Sequence, residues 1–267
     1  MSKTIRETIF VIVALLAIDT SLFAETTTTN GVIWTYAVLN GEASLGGETL
    51  AVPKSTTGVI TIPSTLDGYP VTSIGDGAFT ECTRLAGVTI PHGVTRIGND
   101  AFNGCTSLAS VVIPDSVRSI GDCAFEECNT LLFDTATIPG VKLVDGWVVG
   151  YKDWLSGSLD LTGARGIADW AFGGCCDLTS VNVPDGVVAI GYGAFQDCTG
   201  LVSVTIPDSV MTIGEGAFEN CDALFFDTAT IPGVKLVDGW VVGFTDSVPD
   251  TLNLYLYLFV SVPNCIY

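Results

Sequence analysis

The chain has 267 residues, 48% of them hydrophobic and 15% charged, which is the make-up of an ordered protein and excludes bulk disorder. Its 29 acidic residues against 10 basic ones give a net charge of −19 at pH 7. A body this acidic repels nucleic acid phosphates and anionic membrane surfaces, leaving neutral glycans, cationic patches and divalent cations as the partners its charge admits.

The first 24 residues carry Lys3 and Arg6, an unbroken apolar run from Ile9 to Ile18, a short polar step and the small residue Ala24. That order of segments predicts a secretory signal peptide over 1–24. The apolar run falls well short of the roughly 20 residues a membrane-spanning helix needs. Removing the leader takes away Lys3 and Arg6 together with Glu7 and Asp19, so the acidic charge belongs to the remainder.

Residues 25–58 lie outside any repeat. Around Asn40-Gly41 they alternate apolar and polar positions, the signature of a hairpin, and the segment is expected to cap the end of whatever follows. Trp34 and Tyr36 belong to that cap as packing residues.

From Val59 to Gly243 the chain repeats. Ala-Phe pairs place Phe79, Phe102 and Phe125 at spacings of 23, and Phe172, Phe195 and Phe218 at the same spacing after a gap of 47. A cysteine follows each Phe at a fixed offset: Cys82, Cys105, Cys128, Cys175, Cys198 and Cys221. The unit is clearest in PDGVVAIGYGAFQDCTGLVSVTIP, residues 184–207. Its ending alternates at period two, which puts Val204 and Ile206 inward and Ser203 and Thr205 outward on a short strand. The segment from Val187 to Cys198 has apolar residues three and four apart and predicts a tight turn followed by a short helical or 3₁₀ return. One such coil cannot bury its own Phe, Ile and Leu, whereas stacked coils bury them as a continuous column.

The gap of 47 contains a variant long coil over about 131–167, and a second one begins at 224. Both carry FDTATIPGVKLVDGWVVG, at 133–150 and unchanged at 226–243. Asp145-Gly146 between valine-rich runs predicts a hairpin. Trp147, Tyr151 and Trp154 fall in the extra length. Exposed together they make a sugar-stacking surface; packed inward they hold the hairpin on the coil. Residues 244–267 correspond at first to the continuation of the earlier copy and then depart from it in YLYLFVSVPNCIY. The expectation there is a truncated or frame-shifted end, or else an unusual strand-like cap.

These units resemble BspA-like leucine-rich repeats, whose I-P, V-x-x-I-G, A-F, x-x-C and L-x-x-V pattern is matched here over about 59–243. The resemblance implies a right-handed leucine-rich repeat solenoid with a parallel sheet on one face, in a bacterial secreted or cell-surface protein linked to adhesion. It implies no catalytic residues and no cofactors.

The chemistry-bearing residues read the same way. The six ladder cysteines would line up one above another at a spacing that a disulfide tolerates, but packing explains the position and reduced thiols are expected; Cys123, Cys176 and Cys265 are left open. Paired C-x-x-C knuckles for zinc do not occur, and the one histidine, His92, stands where other coils have Asp115, Asp185 and Asp208. Asp76, Asp122 and Glu215 also recur with the coil, as turn and capping residues do. The reading is a non-enzymatic binding or adhesion module whose partner is an extracellular protein or glycan. Its contact surface is placed at Asp145, Trp147, Tyr151, Trp154 and the duplicate Trp240; a structural spacer is the alternative.

Overall fold

The computed structural model describes residues 24–46, 49–131, 137–151, 155–226, 234–237 and 239–244. Most of the expected leader, the end from 245 onward and Trp154 lie outside the described residues. The described residues fall into two compact units, one within 24–117 and 123–131, the other within 118–122 and 137–244.

Among the described residues there are strands and no helix. In chain order the strands are β1 (Glu25–Thr29), β2 (Val32–Leu39), β3 (Glu42–Leu45), β4 (Gly58–Thr61), β5 (Thr65–Leu66), β6 (Tyr69–Ile74), β7 (Leu85–Thr89), β8 (Arg96–Ile97), β9 (Ser110–Val112) and β10 (Ser119–Ile120). There follow β11 (Val141–Val144), β12 (Trp147–Tyr151), β13 (Gly157–Asp160), β14 (Gly166–Ile167), β15 (Leu178–Asn182), β16 (Ala189–Ile190), β17 (Ser203–Thr205), β18 (Thr212–Ile213), β19 (Val234–Val237) and β20 (Trp240–Phe244).

The first unit opens with an antiparallel meander, β1 to β2 to β3. Its two turns are Asn30-Gly31 and Asn40-Gly41, all four residues at positive φ, the conformation that an Asn-Gly hairpin turn requires. The cap is thus three-stranded; the first Asn-Gly pair carried the same signal as the second. Strand β3 then pairs in parallel with β6, and β6 with β8. A second parallel sheet runs β4, β7, β9.

The second unit has the same plan. An antiparallel hairpin, β11–β12, turns at Asp145-Gly146, and β12 pairs in parallel with β14, which continues through β16 to β18. The companion sheet is β13, β15, β17. The variant coil is therefore the opening hairpin of a unit. Its duplicate, β19–β20, has an identical register, including a bulge after the lysine.

Within an ordinary coil the period-two segment behaves as its pattern requires: Val204 and Ile206 are buried while Ser203 and Thr205 are exposed. The V-x-x-I-G segment is itself a two-residue strand, such as Ala189–Ile190, so each coil presents two short strands. The expected helical or 3₁₀ return is not formed as a continuous helix. Its N–H groups alternate instead: those of Ala78, Thr80 and Cys82 bond three residues back, at 3.3, 3.0 and 3.1 Å, while those of Gly77, Phe79 and Glu81 reach Asn99, Ala101 and Asn103 of the next coil at 2.8, 2.7 and 2.7 Å. A helix would spend every N–H internally and leave the coil edges unpaired. Alternation satisfies both.

Each unit is filled by a column of phenylalanines. Phe79, Phe102 and Phe125 stack at 4.9 and 5.4 Å between ring centres with planes within 5°. Phe172, Phe195 and Phe218 stack at 5.1 and 5.4 Å. Beside the column the ladder thiols donate across coils to phenylalanine carbonyls: Cys105 to Phe79 at 3.0 Å, Cys128 to Phe102 at 3.1 Å, Cys198 to Phe172 at 3.2 Å and Cys221 to Phe195 at 3.1 Å. A small apolar residue carrying one weak donor suits that position, which is why the repeat holds cysteine there. The eight described cysteines are all free thiols.

Candidate functional site

The residues singled out in the sequence fall into different environments. Asp145 stands at the exposed tip of the β11–β12 turn, with its carboxylate 3.5 Å from the Arg165 guanidinium. Trp147, expected at the contact surface, is instead fully buried. Strand β14 runs beside it with Gly166 opposite, and a methyl group at Gly166 would come within 2.6 Å of the indole. Glycine at 166 is what lets the ring lie flat against the next coil.

Tyr151 is half-buried and continues the phenylalanine column, its ring 6.5 Å from Phe172 and its hydroxyl donating to the Gly173 carbonyl at 3.5 Å. Burial pushes its phenol up to about 12. Packing accounts for both Trp147 and Tyr151, so the two do not form an exposed aromatic surface. Trp240 is half-buried although its local sequence and hairpin register duplicate those of Trp147. Trp154 lies outside the described residues.

Carboxylates that recur with the coil hold coils together. Asp76 accepts from the Asn99 backbone N–H at 2.9 Å and from Arg96 at 3.1 Å, and Asp169 accepts from the Tyr192 N–H at 2.8 Å. On the sheet face Asp160 accepts from Thr162 and Asn182, and Asn182 in turn accepts from Thr205 at 2.7 Å. The Thr162 hydroxyl, then Asn182, hold the Asp160 carboxyl below the usual carboxylate range. A carboxylate held ionised by hydrogen bonds to its Oδ1 has no proton to donate. Asn182 and Thr205 of this ladder line an open groove of about 420 Å³ together with Pro184, Asp185 and Pro207. Among the described residues no group of three or more His, Cys, Asp or Glu side chains is placed to hold a metal ion.

One aromatic pair was not anticipated from the sequence. Trp170 and Tyr192, from consecutive coils of the second unit, lie edge to face at 5.9 Å with an interplanar angle of 62°. Trp170 is half-buried and Tyr192 is 45% exposed. The signal was a departure from the repeat: Trp170 occupies the place of Gly77, Gly193 and Gly216, and Tyr192 that of Asp76, Asn99 and Glu215. Every described residue at the first of these places has a positive φ, and Trp170, at 56°, adopts a conformation that glycine reaches without strain.

The family model described as BspA type leucine rich repeat region matches six copies, over residues 59–140 and 165–234. Comparison with curated proteins finds no match. Similar solved structures include a leucine-rich repeat protein of T. pallidum, 24% identical, with 90% of this chain and 94% of that one covered and a TM-score of 0.38. A leucine-rich cell surface protein of Faecalibacterium prausnitzii is 27% identical over 81% of this chain and 57% of its own, with a TM-score of 0.38. A leucine-rich repeat protein of Bacteroides ovatus is 26% identical over 76% and 50%, with a TM-score of 0.32. This chain thus spans about half the length of the latter two. With six matched copies lying across more than half of its residues, the chain belongs to the BspA-type leucine-rich repeat family.

Proposed function

We propose that this protein is exported and acts as a non-enzymatic binding module, attaching to an extracellular protein or glycan. The observation that carries this reading is a division of labour within the repeat. Side chains that recur with the coil, the ladder thiols and the turn aspartates, are spent on hydrogen bonds between coils. Aromatic side chains that depart from the pattern, Trp170 and Tyr192, retain exposed surface. Large aromatic groups are the residues that anchor interfaces, and a fold that needed them only as filler would bury them. Export rests on the basic, apolar and small-residue order of residues 1–24.

The test is a binding screen of the chain without its leader against immobilised extracellular-matrix proteins and a glycan panel, with and without calcium, at two salt concentrations. Saturable binding that Trp240→Ala weakens supports the module and places a contact at the second hairpin. A folded protein that binds none of these surfaces refutes the reading and favours a structural spacer.

A further inference from the structure

Trp170 has a positive φ at a place that Asp100 and Cys123 also hold with a positive φ, so the repeat does not call for an indole there. Glycine holds the same place in three other coils, the column of Phe172, Phe195 and Phe218 is complete without the indole, and the ring is only half-buried. It lies over bare backbone: methyl groups at Gly173 and Gly193 would come within 2.8 and 3.0 Å of it. Tyr192 stands edge-on beside it, so the two rings form an open corner.

The chain that carries the corner and follows it is acidic. From Gly166 to Phe226 the sequence contains six aspartates and two glutamates and no lysine, arginine or histidine. Glu215, Asp197 and Glu219, on the coils that follow, are exposed. Ring faces carry a negative quadrupole that attracts cations, and an acidic field strengthens the attraction and speeds encounter. A neutral sugar would gain the stacking alone; a guanidinium or ammonium group gains both.

We propose that the Trp170–Tyr192 corner is a docking site for a basic protein segment and receives one of its arginine or lysine side chains. The proposal rests on the binding-module reading and names a site and a partner class for it. The acidic residues steer the segment in, and the aromatic corner fixes where it stops.

The experiment titrates the purified full chain with a short peptide of alternating glycine and arginine, with its glycine–glutamine counterpart, and with neutral oligosaccharides, followed by calorimetry at low and high salt. The parallel variants are Trp170→Gly and Tyr192→Asn, both residues that other coils accept at these places. Expected are binding of the arginine peptide only, weakening with salt, a loss of about tenfold in affinity for Trp170→Gly, and an unchanged or higher melting temperature for that variant. Arginine-peptide binding that Trp170→Gly leaves intact overturns the site. Oligosaccharide binding that this variant abolishes overturns the partner class. Absence of peptide binding overturns the proposal alone if the matrix and glycan screen is positive, and the wider reading with it if that screen is negative.

Discussion

Replacing Phe195 by alanine tests whether the stacked column holds the second unit together. Phe195 is fully buried, with Phe172 at 5.1 Å on one side and Phe218 at 5.4 Å on the other, both nearly parallel to it. Emptying a buried phenylalanine site costs about 3–5 kcal/mol, and a stacked aromatic pair adds about 1 kcal/mol beyond area burial. Having two such neighbours places Phe195→Ala near the upper end, about 5 kcal/mol. Phe218 stacks on one described neighbour, so Phe218→Ala is expected to cost about 1 kcal/mol less. Val202, 55% exposed beside the same strands, is the control, and Val202→Ala should stay within about 0.5 kcal/mol of the parent. Urea unfolding followed by far-ultraviolet circular dichroism gives all three values. A Phe195→Ala cost within about 1 kcal/mol of the Val202 control, or below that of Phe218→Ala, would refute nearest-neighbour stacking as the source of stability.

The other predictions concern backbone, cap and thiols. At Gly191 a methyl group would lie 2.5 Å from the backbone of Ala168 and Asp169, so Gly191→Ala should cost about 3 kcal/mol, against about 1 kcal/mol for Gly157→Ala, where φ is 75° but the space is open. Thermal melts of the two variants make the comparison. Tyr36 is buried and donates its hydroxyl to Asp67 at 2.7 Å, so Tyr36→Phe should lose about 1–2 kcal/mol, measured by the urea midpoint. Burial pushes the Cys105, Cys128 and Cys198 thiols up to about 12. Their unfolded counterparts ionise near pH 8.5, so the stabilisation from keeping them protonated is fully present below about pH 8.5 and is lost as pH rises from there towards 12. Melting temperatures recorded across that range should fall, and Cys198→Ala should make the fall shallower.

Much of the architecture was legible because it rests on local chemistry repeated many times. The Phe and Cys ladders follow from a spacing of 23 that leaves one way to bury those side chains, and the hairpins at Asn40-Gly41 and Asp145-Gly146 follow from turns that need positive φ. Apolar spacing of three and four suggested a helical return. The return is a row of alternating turns because every second N–H is claimed by the neighbouring coil, and such a claim is invisible in a single unit. The Trp170–Tyr192 corner escaped because the coils were read for what they share, while its signal was a departure from glycine and aspartate.

The sequence by itself determined the coil, its period, the residues of the column and the places where hairpins interrupt it, since each is written in spacing and turn residues within a few dozen positions. Tertiary structure decided the fate of identical side chains. Trp147 and Trp170 are both tryptophans of the second unit, yet the first is fully buried and the second only half-buried. Trp147 is buried because strand β14 lies beside it with a glycine opposite the ring. Burial in a solenoid is set by the neighbouring coil, and the neighbour is not part of the local sequence.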